Sequence, residues 1–254
     1  MSELQAVIFD MDGTLADTEE LHRQAFNLAF KETDCPLDWS RREYRQLLCI
    51  SGGKERIRHC LQQVGVDNGA LEQTVAAVHR RKSILYRQLL VSDRMELRPG
   101  IRRLVQECRA AGLKLAIATS SSMDNVHTLL RRTFGSAGSD LFPVVVTCDS
   151  IADKKPSPAV YLRALAELGL AAQHCIALED TANGNLAARA AGLKTIITTH
   201  PLTQDDDFPG AALVLNHLGE PGQPFEVAAG AAYGRDYVDL DLLRLIHSHS
   251  SFRA

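Results

Sequence analysis

Hydrophobic and polar positions follow two different periods along this chain. A short apolar run, Gln5-Ala6-Val7-Ile8-Phe9, stops at Asp10 and gives way to turn residues, which predicts a brief buried strand. From residue 17 to residue 95 the apolar positions recur at helical spacing. The segments ELHRQAFNLAF, RREYRQLL, SGGKERIRHCLQQV and LEQTVAAVHRRKSILYRQLL carry this pattern, and none reads as a strand. At Leu97-Arg98-Pro99-Gly100 the period changes again. A helix over 101–111, closed by Gly112, is followed by a strand over 114–119, a helix near 123–133 and a strand over 143–147. Then come a helix near 157–168 closed by Gly169, a strand over 175–180, a helix near 183–191 closed by Gly192, and a strand over 194–199.

Strands that alternate with helices of about ten residues imply parallel βαβ units. Their apolar, β-branched character suits strands covered on both faces. The first strand belongs with this second half. The expected fold is therefore α/β: a Rossmann-like parallel-sheet core, residues 1–16 and 96–254, interrupted by an α-helical cap domain over residues 17–95. The chain would leave and re-enter the core at Thr14–Asp17 and Met95–Arg98, the expected hinges. After Gly219 a Pro/Gly stretch leads to a helical pattern, YVDLDLLRLI, with no assigned role.

Composition narrows the function classes. With 254 residues, 45% hydrophobic and 23% charged, the chain is ordinary for a soluble globular protein and can bury a sizeable core. A net charge of −3 argues against nucleic acid or an anionic membrane as partner, since both favour a basic face. No apolar stretch approaches the roughly 20 residues of a membrane span, and the first residues lack a signal-peptide pattern. The 6 cysteines form no CxxC pair and no zinc spacing, so reduced thiols in a cytoplasmic protein are expected. Oligomeric state is left open, and a monomer is compatible with the chain.

Chemistry-bearing residues collect where the strands end. The first strand ends in Asp10-Met11-Asp12-Gly13-Thr14, the second in Thr119-Ser120-Ser121-Ser122, and the third leads to Asp153-Lys154-Lys155-Pro156. The fourth ends in Glu179-Asp180. Open parallel sheets bind ligands beyond the carboxyl ends of their strands, so carboxylates, hydroxyls and an ammonium would share one rim. Such a set suits a hard cation such as Mg²⁺ and a phosphate. Plainer readings exist: Asp10 and Asp12 as turn residues, the serines as helix caps, Lys155 as a surface lysine, Glu179 behind the ligands rather than among them.

DMDGT after a strand resembles the first motif of the haloacid dehalogenase superfamily, with Thr119, Lys155 and Glu179-Asp180 resembling the second, third and fourth motifs in the same order. The resemblance implies a Mg²⁺-dependent phosphatase. Asp10 would be the nucleophile, Asp12 its acid/base partner, and Thr119 and Lys155 the phosphoryl-binding groups. Asp10, Asp180 and the backbone carbonyl of Asp12 would hold the metal, with Glu179 a further candidate. Within the insert, TLADTEELHRQAF, REYRQLL and SGGKERI resemble the CbbY branch, xylulose-1,5-bisphosphate phosphatases. By position, Glu19, His22, Tyr44, Gly52, Lys54 and Arg56 would then contact the sugar or a distal phosphate, and Ser120 and Ser121 would line the core side of the pocket. A helix N-terminus with glycines and a basic residue, as at Ser51-Gly52-Gly53-Lys54, is itself a natural anion site. The nearest rival is a β-phosphoglucomutase, which shares these core motifs and a histidine at the place of His22. A non-catalytic binding module on the same fold is the rival from another class, although all of Asp10, Asp12, Thr119, Lys155 and Asp180 are present.

Overall fold

The computed structural model describes residues 3–92 and 95–249. Residues 1–2 and 250–254 of the expected core, and 93–94 of the expected insert, lie outside the described residues. Two compact units emerge: one runs to Asp17 and resumes at Glu96, and the other spans Thr18–Met95.

The first unit is built on a sheet that, among the described residues, has 7 strands in the order β3-β2-β1-β4-β5-β6-β7. These are β1 (Ala6–Phe9), β2 (Lys114–Ala118), β3 (Val144–Val146), β4 (Cys175–Glu179), β5 (Lys194–Thr198), β6 (Leu213–Leu215) and β7 (Val227–Gly230). The strands from β1 to β6 pair in parallel, and β7 returns antiparallel to β6. This is the expected α/β class. β1 is central because all four of its side chains are apolar and buried, so both of its edges and both of its faces can be covered.

Register decides where the chemistry lands. Phe9 pairs with Ile117 on one side and with Leu178 on the other. The carboxyl ends of β1, β2 and β4 are therefore level, and the residues just past them share a rim.

The insert unit is helical, with α1 (Glu19–Glu32), α2 (Arg41–Leu47), α3 (Gly53–Gln63) and α4 (Asn68–Ser92). Its core is aromatic: Trp39 lies 4.8 Å from both Phe26 and Phe30, and 6.0 Å from Tyr44, ring centre to ring centre. The sheet unit adds α5 (Ile101–Ala110), α6 (Met123–Phe134), α7 (Ala159–Leu168), α8 (Ala182–Ala190) and α9 (Leu240–Ser248). One face of the sheet packs Ile8, Ala116, Ala118 and Ala177 against Tyr161, Ala164, Leu165 and Leu168 of α7 and Ala187 and Ala188 of α8. The small alanines let the helices approach the strands closely.

Two features depart from the sequence reading. β6 and β7 extend the sheet where no strand was expected. In the tail, the helical pattern at 237–246 becomes a helix only from Leu240, because the Asp239 side chain accepts the Leu242 N–H and caps it there. All six cysteines are free thiols.

Candidate active site

Asp10 follows β1 directly, and its backbone N–H donates to the Leu178 carbonyl at 2.9 Å, continuing the ladder by one residue. The chain then turns through Gly13, whose φ of +86° suits a residue without a Cβ. A Cβ there would also lie 2.1 Å from Asp180 Oδ2, so glycine is required for close approach as well. The turn brings the Thr14 hydroxyl to Asp180 Oδ1, to which it donates at 2.9 Å.

Lys155 arrives from the loop after β3. Its buried Nζ donates to Asp10 Oδ1 at 2.5 Å, to Glu179 Oε1 at 2.5 Å and to the Ala118 carbonyl at 3.0 Å. The ammonium thus has three acceptors in one direction each. Thr119 is buried at the end of β2, and its Oγ1 accepts the Ser121 N–H at 3.1 Å. Ser121 is also buried, and its Oγ accepts from Asn125 at 3.1 Å. Ser122 occupies the cap position of α6 without a side-chain cap bond, and the Asp149 carboxylate accepts the Met123 N–H at 2.9 Å. Ser120 and Asp12 are partly exposed on the same rim.

The electrostatics favour a cation. Burial, then Glu179 and Asp180, push the Asp10 carboxyl well above the usual carboxylate range, and Lys155 offsets this only in part. Burial likewise raises Asp180, against the opposing pull of its bonds from His200 and Thr14. Burial alone would lower Lys155, but Asp10 and Glu179 more than offset it, and the group stays an ammonium. Lys155 pairs with two of the three buried carboxylates, Asp10 and Glu179, while Asp180 is bonded by His200 and Thr14. One oxygen from each of Asp10, Glu179 and Asp180 lies within 4.8 Å of the others. An all-oxygen, net-negative donor set of this size fits a hard divalent ion such as Mg²⁺.

Three residues of this site escaped the sequence reading. Tyr161 of α7 donates its buried hydroxyl to Glu179 Oε1 at 2.5 Å. His200 sits two residues past β5, and its Nδ1 accepts the Leu202 N–H at 3.3 Å. Its proton therefore sits on Nε2, which donates to Asp180 Oδ2 at 3.1 Å. Arg98 donates to the carbonyls of Gly13, Thr198, Thr199 and Asn216, tying the motif turn to the ends of β5 and β6. The strand-end rule that singled out Thr119 would have reached His200. Nothing in the pattern marked Tyr161, which reads as one more apolar-face residue of a helix.

Within the insert unit, the buried Tyr44 hydroxyl donates to Glu19 Oε2 at 2.7 Å and accepts from Arg56 at 3.1 Å. His22 stacks on Tyr86 at 3.9 Å, and its Nδ1 lies 2.6 Å from Lys82 Nζ. Gly52, at φ +100°, stands at the N-terminus of α3, with Lys54 exposed in its first turn. Glu19, Tyr44 and Arg56 are thus bonded together, and His22 is joined to Lys82 and Tyr86.

A level rim of parallel strands bearing a lysine-bridged pair of carboxylates defines a class of enzyme. The model of the haloacid dehalogenase-like hydrolase family matches residues 7–198, and the chain belongs to that family. Within it the likeness is to the CbbY proteins. Protein CbbY of the Cupriavidus necator plasmid is 43% identical over 248 residues, covering 96% of this chain and 97% of that one. A crystal structure of a CbbY mutant from Rhodobacter sphaeroides in complex with xylulose-(1,5)bisphosphate superposes with a TM-score of 0.81 at 42% identity, over 86% of this chain and 96% of that one. The β-phosphoglucomutase of Bacillus subtilis is 31% identical over 226 residues, 85% of this chain and 91% of its own. No helix among the described residues is long and apolar enough to cross a membrane.

Proposed function

We propose that this enzyme is a Mg²⁺-dependent sugar-phosphate phosphatase that removes the C1 phosphate of xylulose 1,5-bisphosphate through an aspartyl-phosphate on Asp10. The observation that carries the reading is the buried Lys155 ammonium held between Asp10 and Glu179, beside Asp180. It places a positive charge where the oxygens of a phosphoryl group on Asp10 would lie. The substrate rests on the likeness to the Rhodobacter sphaeroides protein and its bound bisphosphate.

Asp10 attacks phosphorus, and the sugar oxygen leaves with a proton from Asp12. Asp12 then takes a proton from water as that water attacks the phosphoryl group, releasing phosphate and restoring Asp10. Thr119 and Lys155 bind the non-bridging oxygens throughout. Asp10, Asp180 and the Asp12 carbonyl would hold Mg²⁺, with Glu179 beside them, and the bound ion would supply further neutralisation of phosphoryl charge. Asp10 must be ionised to attack, and the Lys155 ammonium bonded to it favours that form against the effect of burial. In this reading residues 17–95 serve as the cap domain, whose Glu19, His22, Tyr44, Gly52, Lys54 and Arg56 take the sugar and the distal phosphate. Ser120 and Ser121 would also contact the substrate.

The test is phosphate release with Mg²⁺ from xylulose 1,5-bisphosphate, ribulose 1,5-bisphosphate and β-glucose 1-phosphate, with Asp10→Asn as control. Rapid Asp10-dependent release from the xylulose compound alone supports the reading. Formation of glucose 6-phosphate from the glucose ester, without free phosphate, would replace it with a mutase.

A further inference from the structure

The geometry points to His200 as a positioning residue for this reaction: its ring N–H holds the Asp180 carboxylate in the attitude in which it joins Asp10 and Glu179 around a metal. The inference rests on the reading above for the metal's part in turnover, and metal binding by itself gives it a separate readout.

The Asp180 carboxylate is held at both oxygens. Thr14 donates to Oδ1 at 2.9 Å, and His200 Nε2 donates to Oδ2 at 3.1 Å. A carboxylate oxygen can accept more than one partner, so each of these bonds leaves a lone pair for a cation. The backbone of Gly13 closes over the pair: a Cβ there would lie 2.1 Å from Asp180 Oδ2 and 3.2 Å from His200 Nε2. A ligating carboxylate fixed by such bonds is oriented before the ion arrives. Without the His200 bond, Asp180 keeps one donor and can turn about its Cβ–Cγ bond, losing the set direction of its oxygens.

His200 itself is not placed to be a ligand. A neutral imidazole has one ring lone pair. Here it is on Nδ1 and accepts the Leu202 N–H at 3.3 Å. The stretch that carries the ring is tied on both sides. Just before it, Arg98 donates to the carbonyls of Thr198 and Thr199, and the Thr199 N–H joins the Leu215 carbonyl at 2.7 Å. Just after it, the His200 N–H donates to the Thr203 hydroxyl at 3.2 Å, and the His200 carbonyl accepts the N–H groups of Thr203 and Gln204 at 2.8 and 2.9 Å. A donor on so fixed a piece of chain can fix what it bonds. Packing alone does not ask for histidine at this buried place. Leucine would fill much of the space with no ring nitrogens to satisfy.

The test compares the wild type with His200→Leu and His200→Gln in Mn²⁺ binding without substrate, followed by the electron-spin resonance of free Mn²⁺. Leucine removes the donor, and glutamine returns an amide N–H at a similar reach. His200→Leu should bind Mn²⁺ about 10–100-fold more weakly, the scale for loss of an outer-shell partner, and His200→Gln should stay within about threefold of wild type. The Mg²⁺ needed for half-maximal sugar-phosphate turnover should rise in step for His200→Leu. Wild-type Mn²⁺ affinity in His200→Leu overturns the inference. An equal loss in both variants overturns it too, since the ring would then serve packing and not its N–H. If circular dichroism shows His200→Leu unfolded, the ¹⁵N resonances of His200 in the metal-free wild type decide: a proton on Nε2 and none on Nδ1 is expected, and a bare Nε2 overturns the inference. Should the wild type hydrolyse no sugar phosphate, the functional reading falls, and the Mn²⁺ comparison still decides the place of His200.

Discussion

Replacing Lys155 by methionine removes one positive charge from a pocket that holds three carboxylates. The stem still fits, so packing changes little. Two charge-assisted bonds of 2.5 Å and a third bond to the Ala118 carbonyl disappear. Asp10, Glu179 and Asp180 are each less than a tenth exposed and are left without the ammonium. Breaking a buried ion pair by deleting one partner costs about 3–5 kcal/mol, which is the loss expected in EDTA at pH 7. With a urea m-value of about 2–3 kcal/mol/M, the midpoint should fall by roughly 1.5 M. Two conditions should narrow the gap. Excess Mg²⁺ supplies the missing positive charge, and at a hundred times its Kd contributes about 2.7 kcal/mol. Acid does the same by another route. Asp10 has a folded pKa raised above its unfolded value, so its ionised form is the destabilising one, and the penalty shrinks as pH falls and the proton binds. Circular dichroism follows the unfolding, and Trp39 fluorescence reports the insert separately because the sole tryptophan lies there. A Lys155→Met protein within about 1 kcal/mol of wild type in EDTA would refute the account of Lys155 as the charge that makes this carboxylate cluster tolerable.

Gly13→Ala must place a Cβ 2.1 Å from Asp180 Oδ2 at a φ of +86°, so Asp180 has to move. Turnover should drop about a hundredfold, as for a catalytic group displaced by an ångström, with Mg²⁺ half-saturation shifted upward in the same titration. Arg98→Met leaves the carbonyls of Gly13, Thr198, Thr199 and Asn216 without their shared donor. Denaturant titration should show a loss of about 3–5 kcal/mol, since each orphaned buried group costs about 1–3 kcal/mol. Burial, with Lys194 and His174 nearby, holds His247 below its ordinary pKa even though its ring donates to the Gln173 carbonyl at 2.8 Å. Its contribution is complete above an ordinary value of about 6.5 and is lost as pH falls through the window below it. The urea midpoint of His247→Gln should therefore decline less between pH 7.5 and 5.5 than that of the wild type.

The α/β class was readable because β1, β2 and β4 are mostly apolar and β5 is β-branched, with helices of about ten residues between the strands from β2 onward. β6 and β7 were not readable, for different reasons. Leu213–Leu215 is three residues long and shows no alternation. Val227–Gly230 is exposed along its whole length and carries alanine and glycine, poor strand formers. Backbone pairing to β6 alone makes it a strand, and no side-chain pattern records that. The strand-end residues stood out because a carboxylate or hydroxyl directly after a buried run, as at Asp10, Thr119 and Asp180, is conspicuous. Arg98 and His200 act on carbonyls and carboxylates contributed by distant stretches of chain, and only the folded sheet brings those together.

The Arg98 N–H donates to the Leu15 carbonyl at 2.9 Å, so the two strands of chain that frame the insert are immediate neighbours. To the sheet, residues 18–95 are therefore a single long excursion that begins and ends at almost one point. Loop-closure entropy grows only logarithmically with length, so such an excursion burdens the sheet little more than a short turn would. The gene can thus be edited at this doorway as a modular object. Joining Asp17 to Glu96 through a few glycines would leave every strand pairing of the sheet in place, and other helical inserts could be grafted at the same two points.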